Sequence, residues 1–228
     1  MLFAGFQKLT LLDFPGKVAC ILFTMGCNFR CPFCHNASLV RAEEKPQITE
    51  EEVLAFLKKR QGILEGVCIS GGEPLLYDNL GDFIKKVKAL GYSVKLDTNG
   101  SFPEKLKALV NEGIIDYVAM DIKNSPECYD KTTGIKTDLD KIKESIEFLM
   151  SDKVDYELRT TLVKELHTPD DMESIGEMIK GAKRYFLQNF KDSGDVLCEN
   201  MNPLSEDELE QMKKIAQKYI PETAIRGQ

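Results

Sequence analysis

Two rhythms of apolar residues alternate along this chain. Residues 18–24 (VACILFT) form an unbroken apolar run between Gly16 and Gly26, the pattern of a strand buried on both faces. Residues 49–60 then read as a helix, with Thr49 placed to cap it and Glu52 three residues on to close a capping box. The cycle repeats. Strands are predicted at 66–70, 92–97, 115–120, 154–163 and 184–188. Helices are predicted at 79–90, 103–111, 138–150, 169–180 and 205–219, and Gly91, Gly113 and Pro221 stand where three of them should stop. A residual strand is expected at 223–225.

Alternating strand and helix implies a mostly parallel sheet covered by helices. Roughly six such units fall short of the eight of a closed barrel, which takes about 250 residues. At 228 residues, a partial open barrel fits, and so does a doubly wound sheet; periodicity does not separate them. No repeat, low-complexity stretch or linker divides the chain, so residues 1–228 are read as a single domain.

Composition narrows the partners. Lys and Arg number 30 against 37 Asp and Glu, a net charge of −7. An acidic chain without a basic run is poorly suited to nucleic acid, where neutralising phosphate carries most of the affinity, or to anionic membranes. No stretch approaches the ~18 apolar residues of a membrane span. The first ten residues lack the pattern of a signal peptide, so a reducing cytosol is expected. Seven cysteines in that compartment do not suggest a disulfide framework.

Three of those cysteines cluster. Cys27, Cys31 and Cys34 follow the first predicted strand as CxxxCxxC. Three soft thiolates so spaced can wrap one side of an iron–sulfur cubane and leave its fourth iron open to an exogenous ligand. Other readings of the same residues stand beside this one: a thioredoxin-type Cys31-Pro32-Phe33-Cys34, a haem-attachment CxxCH ending at His35, and a zinc site with His35 as fourth ligand. Haem attachment needs export, zinc usually takes two separated pairs, and a redox pair leaves Cys27 without a purpose. Cys20 and Cys68 lie inside predicted buried strands, where cysteine is a small hydrophobe, and Cys128 and Cys198 sit alone in loops.

Further strings follow successive strands: Ser70-Gly71-Gly72-Glu73-Pro74, Asp97-Thr98-Asn99-Gly100 and Asp121-Ile122-Lys123. Each has a plain structural reading, respectively a turn, a helix entry capped by Asp97, and a surface ion pair. The i, i+2 spacing of Asp121 and Lys123 at a strand end instead points both side chains to one face.

Together, and in this order, these strings resemble the radical SAM superfamily over nearly the whole chain. Gly5-Phe6-Gln7-Lys8, Asp13-Phe14-Pro15-Gly16-Lys17 and Cys34-His35-Asn36 resemble the glycyl-radical-enzyme activating enzymes, and most closely the second type that activates anaerobic ribonucleoside-triphosphate reductase. The resemblance implies an α/β fold, a partial (β/α)6 TIM-like barrel. It implies a [4Fe-4S] cluster on Cys27, Cys31 and Cys34, and S-adenosyl-L-methionine (SAM) as cosubstrate. The SAM amino group would meet the carbonyl of Gly72 and the carboxylate of Glu73. Asp97 and Asp121 would help form a monovalent-cation site beside SAM, with Thr98 at a matching position of the same cofactor-binding set and Lys123 and Arg159 on SAM. Gln188 stands where a relative has a SAM-contacting histidine. Arg159 has the alternative of a solvated surface residue, and His167, ahead of Thr168-Pro169, is read as a surface loop residue and not a base.

The activity implied is reductive cleavage of SAM to a 5′-deoxyadenosyl radical that takes a hydrogen from a glycine of a partner enzyme, anaerobic ribonucleotide reductase, with a flavodoxin or ferredoxin as electron donor. An open barrel suits that substrate, because it can admit a polypeptide loop. Competing readings are a radical SAM enzyme acting on a small molecule and, from another class, a thiol-redox or zinc-binding protein.

Overall fold

The computed structural model describes residues 1–41, 47–192 and 194–227. Its principal sheet has eight strands, in the spatial order β10 (Thr223–Arg226), β9 (Tyr185–Asn189), β8 (Asp155–Leu162), β7 (Tyr117–Asp121), β6 (Ser93–Thr98), β5 (Gly66–Gly71), β3 (Ala19–Thr24) and β2 (Gly5–Thr10). All neighbours from β3 to β10 are parallel, and β2 joins β3 antiparallel. A separate two-stranded sheet pairs β1 (Leu2–Phe3) with β4 (Ile48–Thr49). The helices are α1 (Ala37–Arg41), α2 (Glu50–Lys59), α3 (Leu80–Ala89), α4 (Pro103–Asn111), α5 (Tyr129–Thr133), α6 (Leu139–Met150), α7 (Pro169–Met178) and α8 (Glu206–Gln217).

Strand order decides what periodicity left open. A doubly wound sheet reverses direction at a switch point. Here each new parallel strand is added beside the previous one with no reversal, so right-handed crossovers put the connecting helices on one face. A sheet covered on one face only curls into a barrel, and the edges β2 and β10 do not pair, so the barrel is open.

The two faces of each strand differ. Cys20, Leu22, Val67, Ile69, Val94, Leu96, Val118, Met120, Tyr156 and Leu158 alternate along the strands and join the large core against the helices. The helices answer with their own apolar stripes; α3 buries Leu80, Phe83, Ile84 and Val87 at i, i+3, i+4 and i+7. The inner face carries a small apolar plug of Phe14, Ala19 and Tyr117 at the N-terminal ends of the strands. Gly66 leaves room for it, since a Cβ there would lie 2.7 Å from the Phe14 ring. Above the plug most inner positions at the C-terminal ends of β5 to β8 are polar, with Cys68 and Ala119 as small apolar exceptions.

The predicted helices and parallel strands are all present, with ends displaced by one or two residues. Thr49 and Glu52 form the expected capping box. The N-terminal strands and the helices α1 and α5 were not predicted. β2 reads Gly-Phe-Gln-Lys-Leu-Thr, an edge strand without an apolar run, and five-residue helices are too short to show a period.

Candidate active site

The inner face sends polar side chains to the C-terminal ends of neighbouring strands: Ser70 from β5, Asp97 from β6, Asp121 from β7, and Arg159 and Thr161 from β8, with Thr98 at the end of β6 beside them. All of them line one cavity. Its opposite wall is the loop after β3, with Cys27, Phe29, Cys31, Phe33, Cys34, His35 and Asn36.

That loop is pinned at several points. The Gly26 amide donates to the Leu39 carbonyl at 3.0 Å, and the Arg30 amide to the Thr133 carbonyl at 2.7 Å. The Cys34 amide donates to the Cys31 carbonyl at 3.0 Å, which folds the last two cysteines into one turn. Asn99 Nδ2 donates to Asn28 Oδ1 at 2.9 Å and lies 3.9 Å from Cys27 Sγ. From outside, the Cys198 amide donates to the Pro32 carbonyl at 2.9 Å, and His35 stacks on Phe190 with centroids 5.3 Å apart.

The glycine pair locks β5 to this loop. The Gly72 amide donates to the Thr24 carbonyl at 3.0 Å, and the Glu73 amide to the Gly26 carbonyl at 2.8 Å. Glu73 itself is fully buried and turned away from the cavity. Its carboxylate accepts from the Leu75 amide at 3.0 Å, the Thr98 hydroxyl at 2.9 Å and the Asn99 amide at 2.7 Å. Burial pushes this carboxyl up to about 7, against the pull of those three donors.

Across the strand ends runs a chain of alternating charges. Lys95 pairs with Asp97 Oδ1; Arg159 Nη1 reaches Asp97 Oδ2 at 3.4 Å; Arg159 Nε reaches Asp121 Oδ1 at 2.9 Å; Lys123 Nζ reaches Asp121 Oδ2 at 3.0 Å. Burial is the largest single influence and would raise both carboxyls, but Arg159 together with Lys123 at Asp121, and together with Lys95 at Asp97, outweighs it. Asp121 is held at about 2, and Asp97 below its ordinary value. Three cations against two carboxylates leave one net positive charge, which suits the carboxylate of an amino-acid ligand.

The chemistry of the thiols completes the picture. All three are free. Burial pushes Cys27 up to about 11 and Cys31 up to about 12, and raises Cys34. Thiolates are favoured here only when a bound cation outweighs burial, so metal loading and deprotonation are coupled. Among the described residues no three side chains of His, Cys, Asp or Glu are gathered tightly enough to hold a single metal ion. A cubane spreads its three thiolates over three irons, so three thiols that share a wall without converging fit it better than they fit mononuclear zinc.

The model of the radical SAM superfamily matches residues 21–179 of this chain, from β3 to the end of α7. The chain belongs to the radical SAM superfamily.

Within that superfamily it is 34% identical, over 99% of its own length and 95% of the relative's, to a Methanocaldococcus jannaschii protein assigned as a glycyl-radical enzyme activating enzyme. It is 33% identical to the pyruvate formate-lyase-activating enzyme of Listeria monocytogenes over 56% of this chain and 55% of that one. Among solved structures, Streptococcus suis SuiB bound to its precursor peptide SuiA superposes with a TM-score of 0.73 at 14% identity, over 91% of this chain and 48% of that one. The likeness to SuiB is one of fold, a partial barrel. Membership of the superfamily brings with it a [4Fe-4S] cluster and SAM.

In this radical SAM chain the fold gathers Cys27, Cys31, Cys34, Gly72, Asp97, Thr98, Asp121, Lys123 and Arg159 around the one cavity. Two residues singled out in the sequence lie outside its wall. Glu73 is buried behind the cavity. Gln188 sits on β9 in register with Thr161 and Arg226, and is not part of the lining. Asp97 caps no helix, since Phe102 holds the cap position of α4. Arg159 is an ion-paired, mostly buried residue and not a surface one.

His167 is a correction. It is buried at 4% exposure and not on the surface. The Val163 amide donates to its Nδ1 at 3.1 Å, which places the ring proton on Nε2, 2.9 Å from the Lys123 carbonyl. Its ring also meets Phe33 edge-on. His167 therefore ties β8's exit to both Lys123 and the cysteine loop, and burial keeps it neutral. A lone histidine before Thr-Pro carries no signal of this, because two of its three contacts, Lys123 and Phe33, come from distant segments.

Proposed function

We propose that this enzyme reductively cleaves SAM and uses the product to generate a glycyl radical on a partner enzyme, anaerobic ribonucleoside-triphosphate reductase. The observation that carries this reading is the single cavity in which three free thiols face the Gly71–Gly72 backbone and the Asp97–Arg159–Asp121–Lys123 network. Cys27, Cys31 and Cys34 would hold the cluster. When bound, it supplies the electron that breaks the C5′–S bond of SAM, and the 5′-deoxyadenosyl radical so released takes a hydrogen atom from a glycine Cα.

The chain's own residues do the positioning. Gly72 brings a bare backbone to the place where the methionine amino group would lie. Lys123 and Arg159 supply the positive field for the SAM carboxylate, held in place by Asp121 and Asp97. Asn99 braces the cysteine loop through Asn28. The open edge between β2 and β10 leaves a way in for a polypeptide loop, in keeping with relatives named for glycyl-radical enzyme activation. A flavodoxin or ferredoxin in a reducing cytosol would serve as electron donor.

Anaerobic reconstitution with iron and sulfide, then dithionite and SAM, should yield 5′-deoxyadenosine and methionine. Adding anaerobic ribonucleotide reductase should produce a doublet glycyl radical in the EPR spectrum. Turnover of SAM without any doublet, on this or other glycyl-radical enzymes, would point to a small-molecule substrate. No iron, no sulfide and no SAM cleavage would defeat the reading.

A further inference from the structure

Lys95 lies one pleat below the cavity, on the inner face of β6, two residues before Asp97. Its side chain is 1% exposed, and in register beside it stand Cys68 of β5 and Tyr117 of β7. Burying an ammonium costs several kcal/mol unless it is paired, so a lysine at this depth calls for a reason. Its partner is Asp97 Oδ1. The other oxygen, Oδ2, accepts from Ser70 Oγ at 3.0 Å and from Arg159 at 3.4 Å. Asp121 is built the same way, with Arg159 on one oxygen and Lys123 on the other. Each carboxylate therefore has a cation on each oxygen, with Arg159 shared between them.

We propose that the Lys95 ammonium is a built-in substitute for a monovalent metal ion at Asp97, so that the SAM site is complete without K⁺ or Na⁺. An ammonium and a small alkali ion carry the same charge and satisfy the same carboxylate oxygen. Asp97 borders a cavity open to solvent, and at 15% side-chain exposure an ion could reach it. Without Lys95, Asp97 keeps only the Ser70 hydroxyl and the long Arg159 contact. A buried carboxylate left short of positive charge takes up a proton or coordinates a cation, and Asp97 has a path to the cations in solution. Lys95 acts through Asp97 and is a positioning residue. Its consequence for SAM rests on the function proposed above; its consequence for cation binding does not.

The test uses the full chain, purified and reconstituted anaerobically, in KCl, NaCl and choline chloride at equal ionic strength. Before SAM is added, the wild-type unfolding midpoint should be the same in all three salts. Lys95→Met keeps most of the stem and removes the charge; its midpoint should be lowest in choline and rise again in KCl or NaCl. Lys95→Arg should be indifferent to the salt. With SAM, wild-type affinity should not change between salts, whereas Lys95→Met should lose about tenfold in choline and regain it with an alkali ion. A wild-type protein that needs K⁺ or Na⁺ would overturn the proposal, as would a folded Lys95→Met blind to the cation. If Lys95→Met does not fold, Lys95→Gln replaces it, and the wild-type comparison between salts tests the proposal independently of either variant. Should wild type bind no SAM in any salt, the functional reading fails, and the unfolding comparison still reports on Lys95.

Discussion

The backbone of Gly72 passes so close to Gly26 that a Cβ at 72 would lie 1.8 Å from the Gly26 carbonyl oxygen. Nothing flexible can give way there, since the obstructing atom is main chain and is already accepting from the Glu73 amide. Gly72→Ala should therefore part the two loops that face each other across the cavity. We expect a loss of about 1–3 kcal/mol in stability by denaturant titration, the usual cost of forced backbone shifts. SAM binding should fall by at least tenfold in the same protein. Unchanged SAM affinity in a folded Gly72→Ala would show that this crossing does not shape the site.

The cysteines should divide cleanly. Cys27→Ser, Cys31→Ser and Cys34→Ser each remove a thiolate from the cavity wall and should cut anaerobically bound iron and sulfide to a small fraction of wild type. Cys20 and Cys68 are fully buried strand residues away from that wall, so Cys20→Ala and Cys68→Ala should keep the cluster. Iron and acid-labile sulfide assays, with the visible absorbance of the cluster, read both groups.

Arg159 and Lys123 should differ in kind. Arg159 bridges two carboxylates, so Arg159→Met leaves Asp97 and Asp121 without the cation they share. A folding defect of about 3–5 kcal/mol is expected, as for other broken buried pairs. Lys123→Met removes one terminal cation and should chiefly weaken SAM binding, raising KM more than it lowers kcat. Asp121 sets the acid limit of this network: with its carboxyl at about 2 against an ordinary 3.8, its contribution is full above 3.8 and is lost as pH falls toward 2. Acid titration of wild type against Asp121→Asn, followed by circular dichroism, measures that window.

Glu73 should act in the opposite direction. Its folded carboxyl sits at about 7 against an ordinary 4.5, so the folded chain holds a proton that the unfolded chain releases. Stability from this group is present below 4.5 and is lost as pH rises through about 7. In cluster-free protein the unfolding midpoint of wild type should fall between pH 5 and 8 relative to that of Glu73→Gln. Parallel pH profiles for the two proteins would show that Glu73 is ionised throughout.

Much of the site was legible because its parts are local strings at strand ends. The Cys27–Cys34 loop, Gly71–Gly72, Asp97–Thr98 and Asp121–Lys123 each sit within a few residues of a strand whose apolar rhythm marks its end, and a parallel sheet brings such ends to one rim. Lys95, Asn99 and His167 were not singled out for the roles they hold. Lys95 belongs to the alternating pattern of β6, but whether its face looks out to solvent or into a barrel depends on how the sheet curls. His167 takes its role from Phe33, Lys123 and Val163, of which only Val163 is near it in the chain.

By itself the sequence determined the alternation of strand and helix, the placement of the cysteines and glycines after particular strands, and the absence of any basic surface run. These follow from periodicity, capping and backbone freedom, which act over a few residues. Only the tertiary structure decided that the sheet winds one way into an open barrel, that Glu73 turns behind the cavity instead of into it, and that one guanidinium joins carboxylates 62 and 38 residues away in the chain. Those outcomes depend on strand order and on which inner faces meet, and burial makes each such meeting energetically decisive only once the whole barrel has closed around it.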